Sequence, residues 1–193
     1  MELIPLVFSS GWASGVNAYL VVLMLGLLGR YTGMGDVPDA LMRTDVLLVA
    51  AVLYALEFVA DKIPYLDSAW DVVSTAIRPT AGVAIALLVS GDATTLEQAV
   101  YAAVGGGTAL ASHTVKTGLR AAVNTSPEPA SNVVVSVGED AAVAGVVILA
   151  LQHPWWALGV SATLLVLGLV ALVVLMRRVR RGWRRWRSRR VRR

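Results

Sequence analysis

Residues 54–78 read YALEFVADKIPYLDSAWDVVSTAIR, and the rest of the chain takes its meaning from them. The stretch closes a hydrophobic run, residues 46–60, that carries Glu57 inside it. Asp61 follows four residues later, so on a helix the two carboxylates share one face. Lys62, Asp67, Asp71 and Arg78 come next, before the chain turns apolar again over residues 81–89. Ionisable groups between membrane-length segments are costly to bury and mark functional positions.

Composition agrees with a membrane setting. The 193 residues are 56% hydrophobic and only 16% charged, with a mean hydropathy of +0.67. Soluble domains carry about 25% charged residues. The length suits one domain. The lack of cysteine excludes a disulfide framework, a thiolate metal site and a thiol nucleophile. The net charge of +4 conceals an asymmetry: residues 177–193 hold 11 of the 17 basic groups and none of the 13 acids, leaving a body of −7. The first charged side chain is Glu2, not the positive start of a secretory signal, so the first apolar run is expected to stay as a membrane helix.

The pattern predicts an all-α membrane protein of about six transmembrane helices. Residues 3–29 form the first span, with SSGWASGVNA at 9–18. Gly11 and Gly15 make a small-xxx-small pair that permits close helix approach, or interrupt the helix and expose backbone groups. Asn17 offers an amide to a ligand or to a neighbouring helix. Residues 30–45 read as a loop with a short surface helix near 38–42. The second span runs over 46–60 and on to Ile63, where Pro64 stops it. Residues 65–71 are a connection, and 72–90 a third span kinked at Arg78 and Pro79.

The fourth span, 99–119, has Gly105, Gly106 and Gly107 at its centre, each weakening a helix by about 1 kcal/mol relative to alanine. A second helix break or a very close contact is expected there. His113, Lys116 and Arg120 put a basic face on this span. Residues 123–132 read as a loop, 133–151 as a fifth span bearing Glu139 and Asp140, and His153-Pro154-Trp155-Trp156 as a turn. Residues 157–176 are the sixth span.

Two units of three spans follow, about 1–90 and about 97–176, within one membrane domain of residues 1–176. Each opens on a Gly-interrupted helix and continues with a carboxylate-bearing one. An odd number of spans per unit makes them inverted repeats, which place a binding site near the midplane. The arginine-rich tail, 177–193, fixes topology and holds anionic membrane lipid; its Trp183 and Trp186 do not outweigh that position in favour of nucleic acid. Six spans then put both termini in the cytoplasm of a bacterial inner (plasma) membrane. The Gly-rich faces allow a homo-oligomer.

For chemistry, Glu57, Asp61, Glu139 and Asp140 form an acidic set, and Arg78, His113, Lys116 and Arg120 a basic one. Neither HExxH nor GxSxG occurs, and the two histidines are His113 and His153. A catalytic role and a cofactor are therefore not expected. A metal is left open, since Glu57 and Glu139 need further oxygens to hold a hard cation.

The segments EFVADKIPYLDSAWD, IRPTAG and the Ser136–Ala141 pattern SVGEDA resemble a family of small bacterial integral membrane proteins filed as a domain of unknown function, numbered forty-one twenty-six. The resemblance covers about residues 8–175. It implies a multi-span membrane protein and brings no activity with it. The expected function is a small transporter or channel for a cation or proton-coupled solute. Translocation of an anionic lipid or lipid-linked phosphate by the basic face His113, Lys116 and Arg120 with Arg78 is the first alternative, and a non-transporting scaffold the second.

Overall fold

The structure, a computed structural model, describes residues 3–123 and 129–190. These form seven helices and no strand: α1 (Leu3–Thr32), α2 (Asp39–Met42), α3 (Thr44–Ala60), α4 (Pro64–Ser90), α5 (Thr95–Val123), α6 (Pro129–Gln152) and α7 (Pro154–Arg190). Four are long and apolar enough to cross a membrane by length and composition: α1, α4, α6 and α7. The remaining long helices are α3, at 17 residues, and α5, rich in Gly and Thr. Exposed Val, Leu and Trp side chains on α3, α4 and α7 give the bundle a lipid-like exterior.

The first helix is not a straight rod. Asn17 has φ −153° and ψ 94° inside α1, so residues 3–16 and 18–32 are separate arms. In a straight helix Leu6 and Leu25 would stand about 28 Å apart. Instead both line one small cavity, together with Val37 and Ile85. Leu3 likewise shares a cavity with Gly35, Val89, Leu151 and Pro154. The chain therefore folds back at Asn17, and both ends of α1 lie at the same end of the bundle. Each arm is about 20 Å long, less than the roughly 30 Å of a bilayer core.

That end also holds the close of α4, the close of α6 and the start of α7. The helix α7 runs 37 residues from there to the opposite end. A folded-back α1 leaves Leu3 and Arg190 at opposite ends of the bundle. The arginine segment continues α7 as helix through Arg190. The side chains of Trp183 and Trp186, and residues 124–128 of the expected loop, lie outside the described residues.

The glycines pack helices; they do not break them. α5 is helical throughout, Gly105–Gly107 included. A Cβ on Gly105 would stand 2.6 Å from the Gly82 carbonyl oxygen of α4, and one on Gly82 would stand 2.6 Å from that of Gly105. A Cβ on Gly11 would stand 2.5 Å from the Gly105 oxygen, and one on Gly15 would collide with Ser112. The helices α1, α4 and α5 thus meet backbone to backbone. Gly106 rests against Val83, and Gly107 has open space around it. The expected breaks at Gly11–Gly15 and Gly105–Gly107 are corrected to one reversal, at Asn17. The two halves accordingly differ in their first helix.

Other boundaries shift for local reasons. α3 ends at Ala60, and Pro64 does not merely stop it: with Ile63 extended at the N-cap, it occupies the first turn of α4. Residues 65–71 are therefore helical, and Asp67 and Asp71 sit on a buried face. α5 reaches Val123, so Lys116 and Arg120 belong to a helix. His153 alone separates α6 from α7.

Candidate functional site

The reversal at Asn17 leaves main-chain groups without helical partners, and the site is built on satisfying them. The Asn17 Oδ1 accepts from the Leu20 amide at 3.0 Å, capping the second arm. The carbonyls closing the first arm take cations: Lys116 Nζ donates to the Val16 oxygen at 2.9 Å, and Arg78 Nη1 to that of Gly15 at 3.3 Å. Cations at a helix C-terminus also match the helix dipole. On its other side, Asn17 Nδ2 donates to Asp140 Oδ1 at 2.9 Å, while the Tyr54 hydroxyl donates to Asp140 Oδ2 at 3.3 Å.

From these anchors a charge network spreads through α3, α4, α5 and α6. Arg78 Nη2 lies 2.5 Å from Glu57 Oε1, and Arg78 Nη1 lies 3.4 Å from Asp71 Oδ1. Lys116 Nζ sits among Asp61 at 3.1 Å, Glu139 at 3.5 Å and Glu57 at 3.7 Å. Arg120 holds Glu139 at 2.7 Å, Asp61 at 3.2 Å and Asp67 at 3.6 Å, and donates to the Asp61 carbonyl at 2.9 Å. His113 Nδ1 stands 2.8 Å from Arg78 Nη1, and its Nε2 3.0 Å from the Thr75 hydroxyl. Arg78 can only donate, so Nδ1 accepts and the ring proton lies on Nε2.

The sequence-predicted residues Asn17, Glu57, Asp61, Arg78, His113, Lys116, Arg120, Glu139 and Asp140 thus converge. They do so as one interlaced network, not as an acidic set and a separate basic face. Glu57 and Glu139 do not confront each other directly; the Lys116 ammonium stands between them. Asp67, Asp71 and Tyr54 join as well. Their signal was the four-residue spacing from Asp67 to Asp71, legible only once Pro64 is read as a helix start.

The network holds six carboxylates, the buried Glu57, Asp61, Asp67, Asp71 and Asp140 and the half-buried Glu139, against three buried cations, Arg78, Lys116 and Arg120. Fully ionised these nine groups would carry −3, offset in part by the half-buried Lys62, whose charge acts on Asp140 and Asp61. Buried charge in excess of its partners is not tolerated in a low-dielectric setting. Among the described residues, the buried Glu57 Oε2 and Asp61 Oδ1 receive no hydrogen bond, and each is an open place for a proton; Asp71 Oδ1 faces Arg78 Nη1 at 3.4 Å. Among the described residues, no three acidic or histidine side chains gather into a metal-binding cluster.

No curated protein and no solved structure matches the chain. One family model does, that of a domain of unknown function, DUF4126, over residues 4–174. With the charged segments of α3, α4 and α6 all inside that match, the chain belongs to this family.

Proposed function

We propose that the protein is a membrane transporter whose buried carboxylates carry protons, as cargo or coupled to a solute. One observation carries this reading: five buried carboxylates and the half-buried Glu139 stand against three buried cations, with proton-accepting oxygens left open on Glu57 and Asp61. A purely structural network would need no such surplus. Oxygens interleaved with Arg and Lys heads suit protons better than divalent metal ions, which those heads repel. No catalytic role is proposed for any of these residues. The lipid alternative loses ground because Arg78, Lys116 and Arg120 are each already held by carboxylates.

In this reading α1 is a re-entrant hairpin, and α3 to α7 cross the bilayer. Its irregular backbone at Asn17 is tolerated at depth because protein groups satisfy it. No symmetry between the halves is required. The exposed Arg177, Arg178, Arg180 and Arg181 hold anionic lipid on the cytoplasmic side of the inner membrane. The N-terminus then faces the outside.

The test is proton flux into liposomes loaded with a pH-sensitive dye, driven by a potassium diffusion potential. Wild type should acidify the lumen, and Glu57→Gln and Asp61→Asn should each slow this by about tenfold or more. Melting curves of each variant establish that it is folded. Wild-type liposomes no faster than empty ones would overturn the reading, as would folded variants with undiminished flux. The scaffold alternative predicts the first of those results.

A further inference from the structure

A cavity of about 340 Å³ opens between α1, α5, α6 and α7, beside the network. Its walls are apolar, with Trp12, Val115 and Leu165 among them, and Lys116 and Glu139 line it too. The two charged residues do not present alike. The Lys116 ammonium is turned away onto the Val16 carbonyl and Asp61, and its side chain is only 2% exposed. Glu139 keeps 20% of its side chain exposed, while Glu57, Asp61, Asp67 and Asp71 keep 3% or less. The charge a guest meets is therefore a carboxylate.

One carboxylate in an apolar chamber with an indole wall is a setting for an organic cation. The carboxylate supplies the counter-charge, the Trp12 indole adds an aromatic group of the kind that attracts cations, and the walls take up hydrocarbon. An anion of the same shape would meet Glu139 first, because the heads that pair with it, Arg120 at 2.7 Å and Lys116 at 3.5 Å, are almost fully buried. Those two cations now share Glu139. A guest cation would compete for that carboxylate, while Arg120 keeps Asp61 and Asp67. Occupancy would thus be felt inside the network.

We propose that this cavity binds a lipophilic organic cation, of ammonium or phosphonium type. As the solute exchanged against protons it rests on the transporter reading above, whereas its binding rests on the cavity alone. Gly138 provides the means to separate the two. It lines the cavity, and a Cβ there would meet nothing within 4 Å, so a larger side chain fills the chamber without pushing on a helix. Gly145, on the same helix, has equally open space but does not line the cavity.

The experiment is titration calorimetry on purified protein in nanodiscs, using tetraphenylphosphonium and its equally shaped anion, tetraphenylborate. Wild type should bind the phosphonium and not the borate. Glu139→Gln should weaken phosphonium binding by about tenfold or more. Gly138→Leu should abolish it with an unchanged melting temperature, and Gly145→Leu should bind as wild type does. Equal uptake of both ions, or full binding by Gly138→Leu, would overturn the inference. Borate binding alone would point to an anionic lipid instead and overturn it too. Loss of phosphonium binding with proton flux intact strikes this inference only. Phosphonium binding in a protein without flux strikes the transporter reading and leaves the site.

Discussion

The α1 reversal hangs on one amide. Replacing Asn17 by alanine removes the cap on the Leu20 amide, a loss of about 0.5–2 kcal/mol. It also strips Asp140 of its closer donor, leaving the Tyr54 hydroxyl at 3.3 Å, which costs about 1–3 kcal/mol for a buried acceptor. The sum, roughly 3 kcal/mol at its centre, is a large part of a typical net stability. Asn17→Asp separates the two parts. It keeps an oxygen for the cap but sets a second carboxylate at hydrogen-bond distance from Asp140, where both cannot stay ionised. This variant should therefore be destabilised at neutral pH and recover as the pH is lowered. Exchanging the partners, Asn17→Asp with Asp140→Asn, restores one amide and one carboxylate and should return stability to within about 1 kcal/mol of wild type, since the pair is retained. The assay is unfolding in mixed micelles of increasing sodium dodecyl sulfate, followed by circular dichroism. If Asn17→Asp is as stable as wild type, or the exchange no better than the single change, the reversal is not held by this pair.

Two further outcomes follow from the packing and the topology. Gly11→Leu should abolish folded yield, because its Cβ would stand 2.5 Å from the Gly105 oxygen, whereas Gly107→Ala has open space and should stabilise by about 1 kcal/mol; melting temperature and yield decide. The chain has no native cysteine, so single cysteines report sidedness cleanly. A cysteine placed before Met1 and Thr32→Cys should react with an impermeant maleimide from the same face, and a cysteine appended after Arg193 from the other. Labelling of the two chain ends from one face would contradict the folded-back α1.

Much of the site was legible because charges inside apolar runs are rare. Glu57, Asp61, Arg78, Lys116, Arg120 and Glu139 stand out for that reason alone, and all meet in the fold. The small-residue face of Gly11 and Gly15 was legible too, as a close contact. What the sequence did not disclose was non-local. Nothing within 27 uncharged residues distinguishes a span from two arms, since Asn17 caps the second arm only with partners such as Asp140, 123 residues away. Acidic and basic groups read as separate sets because their pairing depends on which helices meet. Asp67 and Asp71 fall in an expected connection because Pro64 both ends one helical pattern and opens the next.

The partners of the α1 reversal also set an order of assembly. Gly15 and Val16 offer carbonyls whose donors, Arg78 and Lys116, lie 63 and 100 residues further on, and Asp140 comes later still. A nascent chain that has not reached α5 has no Lys116 to give the Val16 oxygen, and in lipid each such group costs several kcal/mol. The helix α1 is thus synthesised before the groups that fix its shape. Ribosome-bound chains halted before α6 should leave α1 open to proteases that spare it in the finished protein.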